Sequence, residues 1–199
     1  MSSVEDVVRA VEAGALVVIP TDTVYGLACR PDCRESAQAL LELKRRAPGQ
    51  PIAVVAASVD ALLEVVPELE QRVLDAVLPG PLTLVVSNPE RRFPWLTGER
   101  PDTLGVRVPA VAGPAADLLR RVGVVAATSA NLHDGADPRR LTDVPAEILA
   151  RVAGAFDGGD LPGKPSTVVD LTGPEPFVLR EGAMPGLKAL ARIARALDG

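Results

Sequence analysis

The sequence predicts an α/β fold of the α+β type, a mixed parallel and antiparallel sheet flanked by helices. Three observations carry this. Short apolar runs alternate with amphipathic stretches at helical spacing, the pattern of a sheet layered between helices. Two neighbouring strand pairs, 15–19 with 24–28 and 166–171 with 177–179, have no helix between them, which a fully parallel sheet does not allow. The chain has 199 residues and is 47% apolar, enough to bury a core without staples, so one domain over 1–199 is expected.

Each element has a local reason. Residues 2–13 read as a helix with Val4, Val7, Val8 and Val11 on one side and Gly14 as its stop. An apolar strand over 15–20 is broken by Thr21, Asp22 and Thr23 and resumes over 24–28. Asp32 and Glu35 have capping-box spacing and open a helix to about Lys44. A buried strand at 52–56 precedes helical stretches near 59–65 and 68–78. Strands are expected over 81–86 and 103–108, and between them 91–102 is an irregular connection long enough for a mobile flap. A helix over 114–122 ends at Gly123, and a strand over 124–127 runs into Thr128-Ser129-Ala130-Asn131. A helix over 145–152 and the strands 166–171 and 177–179 follow. The last helix carries Leu187, Leu190, Ile193, Ala194 and Leu197 at helical spacing.

Composition excludes several chemistries. The net charge is −5, and no basic stripe marks a non-specific nucleic-acid binder. The apolar runs are too short to cross a bilayer, and residues 1–9 do not read as a secretory leader, so a cytoplasmic protein without membrane contact is expected. Cys29 and Cys33 read as reduced thiols. With His133 as its sole histidine, the chain has no multi-histidine metal site, and general-base histidine chemistry is not expected.

What remains is hydroxyls, an amide and a few cations. Pro20-Thr21-Asp22-Thr23, Thr128-Ser129-Ala130-Asn131 and Pro165-Ser166-Thr167 each sit at the end of an apolar strand, where open α/β sheets bind ligands. Taken singly, each reads first as a turn; three of them beside apolar strands can line one pocket. Lys44-Arg45-Arg46 closes a helix, where cations suit the dipole. Arg107 lies among residues with a buried pattern and needs a partner or a ligand. Arg180 is similar, with Glu181 as a candidate partner. Such a set suits phosphate esters, where positioning and charge stabilisation do most of the work. Gly158 to Lys164 imitates a phosphate-binding P-loop, but Pro165 stands where Ser or Thr is required and a β-like run follows.

Together these segments resemble the YrdC-like family of threonylcarbamoyl-adenylate synthases in its short, single-domain form. The stretches are Pro20-Thr21-Asp22-Thr23-Val24-Tyr25-Gly26-Leu27, Lys44-Arg45-Arg46 with Pro51-Ile52, Pro79-Gly80-Pro81-Leu82-Thr83, Arg107-Val108-Pro109, Ser129-Ala130-Asn131, Ser166-Thr167-Val168-Val169-Asp170 and Leu179-Arg180-Glu181-Gly182, in the family's order. The sequence departs at Ala47, which precedes Pro48, and at Leu132-His133-Asp134-Gly135 after Ser-x-Asn.

The resemblance implies a twisted mixed sheet around a large, locally positive concave cavity. It implies an enzyme, a nucleotidyltransferase joining L-threonine, bicarbonate or CO2 and ATP into threonylcarbamoyl-AMP and pyrophosphate, with Mg2+ accompanying ATP. Hand-over to a tRNA threonylcarbamoyl-transferase complex follows, with tRNA met only indirectly. By the same resemblance Thr21, Thr23, Tyr25, Arg107 and Ser166 hold threonine. Lys44, Arg46, Thr83, Ser129, Asn131 and Arg180 hold the nucleotide, with Lys44 and Arg46 as the catalytic cations. Two alternatives stay open: a carbamoyl-adenylate-handling module, and an RNA-binding paralogue without synthase activity. Against the latter stand the acidic charge and the scarcity of aromatics.

Overall fold

A computed structural model describes residues 2–45 and 49–198. The chain runs α1 (Val4–Glu12), β1 (Val17–Pro20), β2 (Tyr25–Cys29), α2 (Arg34–Leu43), β3 (Ala53–Ala56), α3 (Val59–Val65), α4 (Gln71–Val77), β4 (Leu82–Ser87), β5 (Thr103–Arg107), α5 (Gly113–Val122), β6 (Val124–Ser129), a 3-10 turn (Leu141–Asp143), α6 (Ala146–Leu149), β7 (Gly154–Ala155), β8 (Thr167–Asp170), β9 (Phe177–Arg180) and α7 (Gly186–Asp198). The strands form one sheet in the order β7-β1-β2-β6-β3-β5-β4-β8-β9. Its β1/β7, β3/β5 and β4/β8 pairs are parallel and the others antiparallel, so the expected mixed sheet is what forms.

Alternation along the strands gives the sheet two different faces. On one, Leu27, Val54, Leu82, Leu84, Leu104, Val106 and Val169 meet α2, α4 and α7 in the main core. On the other, Val17, Ile19, Ala28, Val55 and Val125 meet α1 and α5 in a smaller core. Those two helices cover the β7–β1–β2–β6 end and reach Val55 of β3. The rest of that face is left for a site.

Local chemistry explains most boundaries. The Ser3 hydroxyl accepts the Asp6 N–H at 3.2 Å and starts α1, and the Ser58 hydroxyl accepts the Ala61 N–H at 3.1 Å and starts α3. Gly123, at φ 74°, stops α5 where a side chain would be strained. The expected capping box at Asp32 does not form. Asp32 instead takes both its oxygens to Arg30 at 2.6 Å, and Cys33 becomes the N-cap of α2 with no side-chain cap bond. The helix expected over 145–152 shortens to Ala146–Leu149, because the Ala153 N–H turns back to the Leu16 carbonyl and opens β7. In α7 the buried residues are Gly186, Ala189, Ile193 and Ala196, whereas Leu187 is 84% exposed; small residues let the helix approach α4.

The 91–102 connection is anchored in its middle rather than standing off as a flap. Leu96 is fully buried, its carbonyl accepts the Ile52 N–H at 2.9 Å, and Trp95 Nε1 donates to the Pro31 carbonyl at 2.8 Å. Both cysteines are free thiols, and burial pushes the Cys29 pKa up to about 12, so Cys29 packs as an inert apolar side chain. Among the described residues, no helix is long and apolar enough to cross a membrane.

Candidate functional site

Small residues hollow the uncovered face. The strand register sets Gly26 opposite Ser129, Ala127 opposite Ala53, Gly105 opposite Val85 and Thr83 opposite Val168. Gly26, Ala53, Gly105 and Ala127 supply almost no side-chain layer. What remains is a cavity of about 580 Å³, within the roughly 300–1,000 Å³ range of small-molecule sites. The turn after β1, the strand ends and the 97–100 segment form its walls.

Thr21, Thr83, Arg107, Ser129, Ser166 and Arg180 come together around this cavity. Thr21 shapes the turn: its hydroxyl donates to the Val24 carbonyl at 2.7 Å and accepts the Thr23 N–H at 3.1 Å. Thr23 is buried behind it, its hydroxyl 2.9 Å from Thr21 Oγ1 and accepting from Arg107 Nη2 at 2.9 Å. Across the cavity the Thr83 and Ser166 hydroxyls pair at 2.8 Å. The Arg180 guanidinium donates to the Ser166 carbonyl at 2.9 Å. Glu181, the candidate partner for Arg180, instead accepts the Gly186 N–H at 3.1 Å.

The charged partner that Arg107 requires is Asp22. Arg107 is 8% exposed, and its Nη2 also donates to Asp22 Oδ1, while Asp22 Oδ2 accepts the Ala110 N–H at 3.1 Å. Burial lowers the Arg107 pKa, Asp22 opposes that, and the nearby positive charge of Arg180 lowers it again. Burial likewise lowers Arg180. The lining thus holds Arg100, Arg107 and Arg180 together with the Glu99 carboxylate, while Asp22 offsets the charge of Arg107.

Lys44, Tyr25 and Asn131 stand behind the cavity wall. Lys44 is fully buried, and its ammonium donates to the Ser129 carbonyl, to the Asn131 carbonyl at 2.6 Å and to Asn131 Oδ1 at 2.7 Å. Asn131 Oδ1 also accepts the Ser129 hydroxyl at 2.7 Å. Lys44 thus braces the Ser-x-Asn loop. The Tyr25 hydroxyl donates to the Gly159 carbonyl at 2.9 Å and accepts the Gly158 N–H at 2.8 Å, which ties down the loop that imitates a P-loop. Arg46 lies outside the described residues.

Sequence reasoning missed Asp22 as a participant, although it lies inside the quoted Thr-Asp-Thr turn. It also missed Arg100, a cavity-wall residue that donates to Asp170 Oδ2 and Thr172 Oγ1, each at 2.7 Å. The small-residue floor was readable in principle, since Gly105 and Arg107 are two apart on one strand and therefore share a face. Among the described residues, no cluster of three or more His, Cys, Asp or Glu is placed to hold a metal.

The family model Sua5_yciO_yrdC, described as "Telomere recombination", matches residues 9–182. A Mycobacterium tuberculosis protein is 35% identical over 194 residues, covering 96% of this chain and 87% of that one. Pyrococcus abyssi threonylcarbamoyl-AMP synthase is 33% identical over 181 residues, covering 88% of this chain and 52% of that one. The crystal structure of P. abyssi Sua5 complexed with L-threonine superposes with a TM-score of 0.81 at 30% identity, covering 96% of this chain and 56% of that chain. The chain therefore spans about half the length of these P. abyssi proteins. With the family's model matched over nearly the whole chain and this cavity at its centre, the chain belongs to the Sua5/YciO/YrdC family.

Proposed function

We propose that this chain is an enzyme, a threonylcarbamoyl-AMP synthase of the nucleotidyltransferase class, acting on L-threonine, CO2 or bicarbonate, and ATP. The observation that carries the reading is the cavity lined by hydroxyls and three guanidinium groups, in a fold shared with a Sua5 structure that holds L-threonine.

In the first step the threonine amine attacks CO2, forming a C–N bond and releasing a proton; from bicarbonate the same carbamate forms with loss of water. A carbamate oxygen then attacks the α-phosphorus of ATP. The new P–O bond forms as the bond to the β-phosphate breaks, and pyrophosphate leaves. The transferring group needs positioning and charge stabilisation more than covalent help. Arg107 and Arg180 supply fixed positive charge, and Thr21, Thr83, Ser129 and Ser166 supply hydroxyls that exchange donor and acceptor roles without titrating. Lys44 and Asn131 act from behind by fixing Ser129. Thr23 and Tyr25 fix the wall against which threonine lies, and Arg46 is assigned to the phosphates.

Mg2+ is the expected companion of ATP; held by phosphate oxygens and water, it would offset the charge of the phosphates, and among the described residues no cluster of three or more His, Cys, Asp or Glu is placed to hold it. The cytoplasm is the expected location, and a tRNA threonylcarbamoyl-transferase complex is the expected consumer of the labile product. Pyrophosphate release measured with and without L-threonine and bicarbonate tests the reading. Release requiring both supports it, and release indifferent to threonine overturns it.

A further inference from the structure

Asp22 is part of no expected substrate contact, yet both of its carboxylate oxygens are engaged in a largely buried place. It lies in the turn between β1 and β2, while its partners Arg107 and Ala110 belong to the end of β5 and the segment after it. The side chains of Asp22 and Arg107 are 11% and 10% exposed. Both Asp22 oxygens are engaged, one by Arg107 and one by the Ala110 N–H. Arg107 Nη2 is shared between Asp22 and Thr23. Arg107 Nε is buried and has no acceptor among the described residues, although Arg107 lines the cavity.

A planar guanidinium held along one edge is fixed in direction. We propose that Asp22 is a positioning residue, which fixes the Arg107 guanidinium at the cavity wall, where it meets the carboxylate of the amino-acid substrate.

This rests on the synthase reading above. Asp22 touches no ligand; it acts through Arg107. An anionic oxygen from the substrate pairs with the positioned guanidinium, and the Asp22 charge keeps a cation tolerable in a buried place beside Arg180. Amino-acid binding therefore depends on Asp22 more than nucleotide binding does.

The test is steady-state pyrophosphate release by wild type, Asp22→Asn, Asp22→Glu, Arg107→Ala and the Asp22→Asn/Arg107→Ala double variant. Asp22→Asn is expected to raise KM for L-threonine about tenfold, the loss of roughly one charge-assisted contact. KM for ATP should move less than about threefold. Asp22→Glu should recover most of the loss. The double variant should be no worse than Arg107→Ala alone, because the two residues act as one unit. Equal losses for both substrates, or a double variant that multiplies the single losses, overturns the proposal. If Asp22→Asn melts below the assay temperature, Asp22→Ser carries the test in its place: a threonine-selective KM rise supports the proposal, and a KM for L-threonine equal to wild type overturns it. Wild type without threonine-dependent turnover overturns the synthase reading and this proposal together; an active wild type with an unaltered Asp22→Asn overturns this one alone.

Discussion

Replacing Lys44 by methionine separates two roles that a kinetic assay alone would merge. Lys44 follows α2, with its stem in the main core and its ammonium on three oxygens of the Ser129–Asn131 loop. Methionine keeps most of the apolar stem and removes the donor. Each hydrogen bond from a charged group contributes about 1.5–3 kcal/mol net, and stranding the partners of a buried charge costs roughly 3–5 kcal/mol. Relief of the ammonium's own desolvation offsets part of this, so about 2–4 kcal/mol is expected. In a chain of this size that lowers Tm by roughly 5–15 °C. Urea unfolding gives the free energy, and pyrophosphate release at a temperature where both proteins are folded gives the kinetic effect. Activity should fall together with stability, because Ser129 loses its brace. An unchanged unfolding midpoint with a collapsed kcat would refute this account, since the ammonium would then be serving ligand rather than loop.

Other consequences follow from single contacts. Gly105→Ala should keep activity, because an added Cβ meets Ala53 Cα at an ordinary 3.5 Å; Gly105→Leu should fill the cavity and raise KM at least about tenfold, which kinetics on the pair would check. Gly98 has φ 66°, and a Cβ there would run into the Gly49 carbonyl and lie 3.0 Å from Pro51 N. Gly98→Ala should therefore cost more than the roughly 1–2 kcal/mol of left-handed strain alone, read as a lowered melting temperature and a displaced cavity wall. Desolvation pushes the Asp170 carboxyl up, but Arg100 and Thr172 outweigh it and hold its pKa below the ordinary 3.8. A carboxylate depressed in the folded state adds stability above its unfolded pKa and loses it as pH falls through the folded value. Between about pH 7 and pH 3, wild type should lose more unfolding free energy than Asp170→Asn; equal losses in a urea series would contradict this.

The sheet was legible because its strands obey simple rules. The runs at β1, β3, β4 and β5 are apolar and short, and helix-free pairs such as β1/β2 can only be antiparallel. The missed boundaries are places where a tertiary contact outbid a local signal. Arg30 claimed the Asp32 carboxylate before it could cap α2. Pairing with β1 ended α6 early and created β7, which has no apolar run of its own.

The site divides along the same line. Thr21, Ser129 and Ser166 were readable because three polar clusters beside apolar strands can line one pocket, and Arg107 because a charge among buried neighbours needs a partner or a ligand. The standing of Lys44 and Tyr25 behind the wall was not readable, because their types fit equally a ligand contact and a brace. Burial decides between these, and burial depends on what α2 and the 157–159 loop pack against. Asp22 shows how the gap narrows. A charge inside a buried strand demands a partner, and Asp22 is a carboxylate just past the end of β1, with β2, β6 and β3 lying between that strand and β5. The requirement at Arg107 named the kind of residue, and only the fold could say which one meets it.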